Sequence, residues 1–199
     1  MMNNIKLVKQ NLIYEDNHLL VINKQPGILV QGDKTGDISL LDILKNYLKI
    51  TKNKEGNVYL GLVHRLDRTS SGVMVFSKTS KALSRLNKQF KNREVLKTYW
   101  ALVEGVDIPK EEKLINWVKK NQIKNKSFVT KKELKGSKKA VLNYIMIKRL
   151  KNYSFIQIEL ETGRHHQIRC QMGHRDFPIK GDLKYGSKRS NKNSCIYLH

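Results

Sequence analysis

Alternation between apolar and polar residues predicts short strands near the start of the chain. The pattern favours strands at residues 12–14 and 18–22, and a proline–glycine turn at residues 26–27 precedes a third predicted strand at residues 28–30. A helix is then predicted from Ser39, whose side chain can cap a backbone N–H in the first helical turn. The chain therefore opens with a small β meander that leads into a helix.

The rest of the chain continues this mixture of strands and helices. Apolar runs at residues 59–63 and 73–76 flank a polar segment at residues 64–72, which predicts a strand, an exposed loop and a strand. The later elements predicted in chain order are a helix capped by Thr79 or Ser80, a strand at 95–103, a lysine-rich hairpin or insertion at 107–139, an antiparallel pair at 141–147 and 153–160, a helix with Ile168 and Met172 on one face, and a strand at 195–198. Strands outnumber helices and the connections are short, so the predicted class is α+β, with a mixed, mainly antiparallel sheet and flanking helices. We expect residues 1–199 to form a single domain.

The charge balance points to a polyanionic partner. The sequence has 39 Lys and Arg residues against 17 Asp and Glu residues, which gives a formal charge of +22 and a pI near 10.0. A field of this sign attracts nucleic acid, although a general bias toward lysine could also place many of these charges on solvated faces. Membrane binding is disfavoured because no basic helix has a wide apolar face.

The chain carries no segment that predicts export or membrane insertion. It has no run of about 18 apolar residues, and its first residues lack the apolar centre and cleavage site of a secretory signal. Cys170 and Cys195 have neither metal-site spacing nor a sign of an oxidising compartment. We therefore expect a cytoplasmic protein with two reduced cysteines.

The polar segment at residues 64–72, with the sequence HRLDRTSSG, carries the strongest candidate chemistry. It places one acid, Asp67, among two arginines, a histidine and three hydroxyl groups. Nearby positive charge keeps a carboxylate ionised, and a loop between strands can present it to a ligand. A surface turn held by ion pairs would have the same composition, so composition alone leaves both interpretations open.

This segment resembles the HRLDxxTSG signature of RluA-type RNA pseudouridine synthases. The strand that follows, VMVFSK at residues 73–78, is also similar to the family. Further segments that resemble the family, in the family's order, are YED at 14–16, VINKQPG at 21–27, KTYWALVEG at 97–105, LETGRHHQIR at 160–169 and PIKGDLKYG at 178–186. The resemblance covers nearly the whole chain and implies the pseudouridine synthase catalytic fold.

The resemblance also implies a role for individual residues. Asp67 would be the catalytic aspartate, Tyr99 would stack on the target base, and Arg169 would pair with the aspartate. The other residues implied to line the same cleft and bind substrate are Arg65, Arg164 and His64. The implied reaction isomerises specific uridines to pseudouridine in structured RNA, either rRNA or tRNA, with no cofactor, no metal and no obligate protein partner.

Several of these residues also have simpler interpretations. Tyr99 lies in an apolar strand, where an aromatic side chain usually packs in the core. Asp182, next to a glycine, is more typical of a turn-stabilising carboxylate than of a second catalytic acid. His165, His166 and His174 lack the acidic or cysteine neighbours that would complete a metal site.

The sequence departs from the family pattern at a few positions. Cys170 and Gln171 follow the QIR triplet where the family usually has histidine, and Thr69-Ser70 replaces the common Asp-Thr pair. The chain ends at a segment that resembles the strand before the family's last stretch, so the catalytic domain is expected to lack its final strands. The alternative function is therefore a non-catalytic RNA-binding protein or RNA chaperone. A glycosidase is disfavoured because only one acid has a motif setting.

Overall fold

The structure is a computed structural model that describes residues 2–191 and 195–199. Its helices are α1 Met2–Asn11, α2 Leu40–Thr51, α3 Ser80–Lys91 and α4 Gln167–His174, with a short 3-10 helix at Leu183–Tyr185. Its strands are β1 Leu12–Glu15, β2 Leu19–Lys24, β3 Gly61–Leu62, β4 Gly72–Ser77, β5 Thr98–Glu104, β6 Glu111–Asn121, β7 Lys126–Thr130, β8 Lys138–Arg149 and β9 Tyr153–Leu160. The α+β class is confirmed. The chain divides into two compact units, residues 1–94 and 95–199, and the grouping of the whole chain as one catalytic domain stays a prediction.

The first unit is built on a four-stranded antiparallel sheet in the order β1-β2-β4-β3. Strand β2 alternates half-buried and buried residues, and its inward positions are Leu20, Ile22 and Lys24. The predicted helix α2 begins with a capping box, in which Ser39 and Asp42 satisfy each other's backbone N–H groups. Its buried face joins the core formed by β2 and β4.

Two parts of the first unit differ from the sequence-based prediction. Helix α1 was not predicted, and its Val8 side chain is fully buried in the core. The strand predicted at residues 28–30 is wrong, because the carbonyl groups of Leu29 and Val30 accept hydrogen bonds from the first turn of α2 instead of from a strand. Ile28 still packs against the core, so its apolar character reflects burial without sheet pairing.

The second unit is built on a five-stranded antiparallel sheet in the order β5-β9-β8-β6-β7. The lysine-rich stretch forms the predicted hairpin, as β6 and β7, and β8 and β9 form the predicted antiparallel pair. Helix α4 packs against β6 and β7 and carries Ile168 and Met172 into the core. These elements place the basic hairpin beside the start of α4.

The C-terminal residues run beside the edge strand β5. Trp100 and His199 exchange two backbone hydrogen bonds, of 2.7 and 2.9 Å. Within residues 195–199 the pairing with β5 is a single bridge between Ala101 and Leu198, which is shorter than the strand predicted at 195–198. Among the described residues, no helix combines the length and apolar character needed to cross a membrane.

Candidate functional site

The predicted site residues lie in both units. Those in the first unit are Asp67, Arg65 and His64, and those in the second are Tyr99, Arg164 and Arg169. In the first unit, all three occupy the loop that joins β3 to β4, called here the Asp67 loop (residues 63–71). A tight turn shapes this loop, because the Asp67 carbonyl oxygen accepts hydrogen bonds from the Ser70 N–H at 3.3 Å and from Ser70 Oγ at 3.1 Å.

A buried lysine holds the backbone of the Asp67 loop. Lys24 is only 1% exposed, and its Nζ donates hydrogen bonds to the carbonyl groups of Gln25 at 2.9 Å, Arg68 at 3.3 Å and Ser70 at 2.8 Å. The Arg68 carbonyl also accepts the Gly27 N–H at 2.7 Å, and the positive φ of 89° at Gly27 gives the turn that brings this N–H to the loop. The half-buried Asp67 therefore belongs to a loop whose backbone is held by a buried cation.

Burial changes the acidity of this lysine. Desolvation lowers the pKa of Lys24 to about 8, while the Asp67 carboxylate acts in the opposite direction and raises it. The three carbonyl oxygens favour the ammonium form, because only that form supplies three N–H donors. Lys24 is thus a charged support for the loop at neutral pH.

The other charged residues of the Asp67 loop have distinct settings. Arg68 donates to Asp37 at 2.7 Å and to the Gly27 carbonyl at 3.0 Å, which ties the outer side of the loop to the preceding segment. His64 is half-buried, accepts the Val75 N–H at Nε2 and stacks on Phe90 with ring centroids 5.2 Å apart. Arg65 is exposed. His64 therefore anchors the loop to β4, and its predicted contact with substrate stays a prediction.

In the second unit, Arg169 is buried in helix α4 with a carboxylate beside it. It is 5% exposed, and its Nε and Nη2 donate to the two oxygens of Asp182 at 2.6 and 2.9 Å. Asp182 is 2% exposed and makes no side-chain cap on the 3-10 helix that follows, so it does not act as the turn-stabilising carboxylate inferred from sequence. The planar two-pronged geometry fixes the guanidinium firmly. The predicted pairing of Arg169 with Asp67 stays a prediction.

Tyr99 lies on β5 opposite Ile158 of β9. Its side chain is half-buried and packs against the core of the second unit, as expected for an aromatic residue in an apolar strand. The remaining exposed part of the ring is compatible with stacking on a base, which stays a prediction.

A network of polar rings surrounds the start of α4. His166 adopts a left-handed backbone conformation with φ of 51°, and its Nδ1 forms a 2.9 Å hydrogen bond with the Tyr185 hydroxyl group. Burial, helped by the positive charge of Arg169, holds the pKa of His166 far below its ordinary value, so this ring is neutral. The guanidinium carbon of Arg169 also lies over the Tyr185 ring, 5.1 Å from the ring centroid.

Lys24 and Tyr185 were not assigned a role from sequence. Both lie in segments that resemble the family, and Lys24 also continues the buried alternation of β2, which is a signal in the sequence. Because lysine is usually exposed, the sequence still favours an exposed Lys24 at the end of the strand over a buried one. Among the residues the structure describes, no three His, Cys, Asp or Glu side chains are grouped as metal ligands.

Comparisons with known proteins identify the family. A family model described as RNA pseudouridylate synthase matches residues 18–174. The chain belongs to this family. The resemblance to RluA-type pseudouridine synthases is thereby confirmed.

Individual relatives agree with this membership. The chain is 34% identical over 194 residues to ribosomal large subunit pseudouridine synthase D of Buchnera aphidicola subsp. Baizongia pistaciae, covering 94% of this chain and 58% of the relative. It is 38% identical over 192 residues to synthase C of the same organism, covering 93% of this chain and 57% of the relative. The chain thus spans less than two thirds of the length of these curated relatives.

The fold is shared with a human protein of known structure. Human RNA pseudouridylate synthase domain containing 4 is similar with a TM-score of 0.79 and 25% identity, over 94% of this chain and 74% of that chain. Human RNA pseudouridylate synthase domain containing 1, at 20% identity and a TM-score of 0.76, shares the fold.

Proposed function

We propose that this protein isomerises specific uridines to pseudouridine in structured RNA, with Asp67 as the catalytic carboxylate. The observation that carries the proposal is the position of Asp67 on a loop whose carbonyl groups are held by the buried Lys24 ammonium. A supported loop suits a catalytic group, because small displacements of a reacting group are costly in rate. Membership of the RNA pseudouridylate synthase family supports the same reaction.

The proposed reaction rearranges bonds within one nucleotide. The bond from uracil N1 to ribose C1′ breaks, the base turns, and C1′ bonds to C5. The C5 hydrogen leaves as a proton and N1 takes up a proton, so atoms and electrons balance without a co-reactant. Asp67 can serve as nucleophile, toward either the ribose or the uracil ring, or stabilise the positive charge that develops.

The other predicted site residues are proposed to bind substrate. Tyr99 would stack on a base lifted from its helix, as enzymes that act on bases require. Arg169 would bind a carboxylate or phosphate through its planar fork, and Arg65, exposed on the Asp67 loop, would contact the RNA. Arg164 and His64 are the remaining residues proposed to bind the RNA substrate.

Ribosomal RNA is the proposed substrate, with transfer RNA as the alternative. The relatives in Buchnera are named as ribosomal large subunit synthases. The formal charge of +22 suits a large RNA, because basic side chains that neutralise phosphates give most of the affinity for nucleic acid. We expect the protein to meet this RNA in the cytoplasm.

A test of the proposed function follows the hydrogen on C5. RNA labelled with tritium at C5 of uridine releases the label once per turnover. We expect release by the unmodified protein with no added nucleotide, and release at background for Asp67→Asn, which keeps the size of the side chain and removes its charge. RNA affinity should be kept by this variant, because loss of one acid does not weaken attraction to phosphate.

The matched control is Asp107→Asn, which removes the same charge at an exposed position outside the proposed machinery and should release tritium at the unmodified rate. Undiminished release by a folded Asp67→Asn protein would contradict the catalytic assignment. Binding of cellular RNA with no release by the unmodified protein would favour the non-catalytic RNA-binding alternative.

A further inference from the structure

We infer that a basic pocket in the second unit binds a backbone phosphate of the RNA. The choice of RNA as the ligand rests on the proposed function. The pocket has a volume of about 240 Å³ between the β6–β7 hairpin, the start of β8 and the segment before α4. The polar groups on its wall are Lys120, Ser127, Lys138, Arg164 and His165. This volume is below the range of about 300 Å³ and above that holds drug-sized ligands, so it suits a small charged group.

Arg164 is fixed in this pocket with part of its guanidinium available. Its Nε donates to the Lys139 carbonyl at 2.9 Å, and its backbone N–H donates to Gln167 Oε1 at 3.0 Å. Within residues 2–191 and 195–199, its two terminal nitrogens form no hydrogen bond. A guanidinium anchored at Nε presents a preorganised donor pair, and this arrangement matches the oxygens of a phosphate.

His165 forms another part of the wall, and hydrogen bonds fix the position of its ring. The buried Ser127 Oγ lies 2.8 Å from the His165 carbonyl oxygen, to which it must donate, so it accepts from Nδ1 at 2.9 Å. Nε2 lies 3.1 Å from Asn125 Oδ1, which can only accept. The His165 ring is therefore held in place at both of its nitrogens.

The remaining wall residues complete a positive surface. Lys120 and Lys138 are exposed and flexible enough to follow a ligand, and none of the described residues that line the pocket is acidic. Gly163 lines the same pocket, and a Cβ added there would meet no atom of the described residues within 4 Å. The pocket thus combines the fixed guanidinium of Arg164, exposed ammonium groups and open space, which together favour a phosphodiester over a neutral ligand.

The first test uses inorganic phosphate and the full chain. Backbone amide resonances of Gly163, Arg164 and His165 should shift and saturate as phosphate is added, while chloride at equal ionic strength should leave them unchanged. Gly163→Asp should abolish the phosphate-dependent shifts by placing a carboxylate in the pocket, and the open space at this position allows the variant to fold. Gly163→Asn, which is equal in size and uncharged, should keep most of the response.

The inference is overturned if phosphate produces no saturable shift, or if the Asp and Asn variants lose it equally. A short single-stranded oligouridine must shift the same amides; a response to inorganic phosphate alone would show a site for free anions and overturn the assignment to RNA.

The second test compares two pairs of lysines in the segment from β6 to β8. Lys120→Gln with Lys138→Gln removes charge from the pocket, whereas Lys124→Gln with Lys135→Gln removes equal charge from exposed positions that do not line it. We expect the pocket pair to lose about tenfold in oligouridine affinity, as for the loss of a charge-assisted hydrogen bond, and the salt slope to fall by about 0.7. Equal losses by both pairs would contradict the pocket.

These measurements separate the pocket from the proposed catalysis. The phosphate shifts and oligouridine affinity do not depend on turnover, and Asp67→Asn should retain both. If they behave as expected while the unmodified protein releases no tritium, the proposed function fails and the phosphate site stands. If tritium is released but the shifts are absent, the phosphate site fails and the proposed function stands.

Discussion

Each unit buries a cationic side chain among residues proposed to act on RNA, but the two positive charges are balanced differently. Lys24 in the first unit is 1% exposed and donates to three neutral carbonyl groups. Arg169 in the second unit is 5% exposed and forms a two-pronged ion pair with Asp182. The first cation donates its hydrogen bonds to neutral carbonyl groups, and the second donates them to a carboxylate.

This difference determines how each cation responds to its surroundings. Arginine keeps its proton at any pH the protein survives, and the buried carboxylate neutralises its charge. Lysine can shed its proton when buried, and the pKa of Lys24 falls to about 8. The support under Asp67 is therefore sensitive to pH, whereas the Arg169–Asp182 pair depends on both partners being present.

The largest effect is expected from breaking the buried ion pair. Asp182→Ala removes the carboxylate that forms a two-pronged ion pair with the buried Arg169 guanidinium, which should lower the free energy of unfolding by about 3–5 kcal/mol. Urea denaturation of the variant measures the loss. The double variant Asp182→Leu with Arg169→Met removes both charges and should recover most of the stability, because apolar side chains of similar volume replace the pair at little cost. A double variant as unstable as Asp182→Ala would show that the pair itself stabilises the unit.

A smaller effect is expected from removing the lysine that supports the Asp67 loop. Lys24→Met keeps the length of the side chain but takes the ammonium from the Arg68 and Ser70 carbonyl groups. Because the loop then loses its fixed position, we expect turnover to fall by about a hundredfold, with RNA affinity unchanged. Tritium release and RNA titration measure the two quantities. Lys81→Met, at an exposed position on α3, is the control; equal turnover by the two variants would exclude a positioning role for Lys24.

The contrast between these two cations also shows what the sequence could predict. Helix α2 was predicted because its capping box and apolar spacing are local, and the structure places Ser39 and Asp42 in that box. The ion pair between Arg169 and Asp182 was not predicted, because Asp182 lies beyond the end of α4 and its glycine neighbour favoured a turn. The Asp67 loop was found through its motif, while Lys24 was overlooked because its burial depends on carbonyl groups more than 40 residues away.

Burial without sheet pairing explains the wrong strand at residues 28–30. Its apolar residues pack in the core, as strand residues do, but their backbone groups bind the first turn of α2. The spacing of apolar residues indicates which side chains are buried, but not which groups their backbone hydrogen-bonds to. A run of three apolar residues therefore cannot distinguish a strand from a buried loop.

The smallest expected change, taken per pH unit, concerns the stability that Lys24 contributes. The pKa of Lys24 is about 8 in the folded chain and 10.5 in the unfolded chain, so between these values the unfolded chain binds more protons at this site. Its contribution to the free energy of unfolding must then rise with pH across this window, by at most about 1.4 kcal/mol per pH unit, and be constant below and above it. The difference in unfolding free energy between the unmodified protein and Lys24→Met isolates this contribution, because the other titrating groups cancel.

Urea titrations of both proteins from pH 7 to above pH 10 measure it, and we expect the difference to move in favour of the unmodified protein as the pH rises from about 8. Loss of the proton also leaves two N–H donors for three carbonyl groups, so turnover should decline over the same range while stability increases. A difference that stays flat with pH would mean that the carbonyl groups hold the Lys24 pKa at its ordinary value, and the two buried cations would then be alike in keeping their charge.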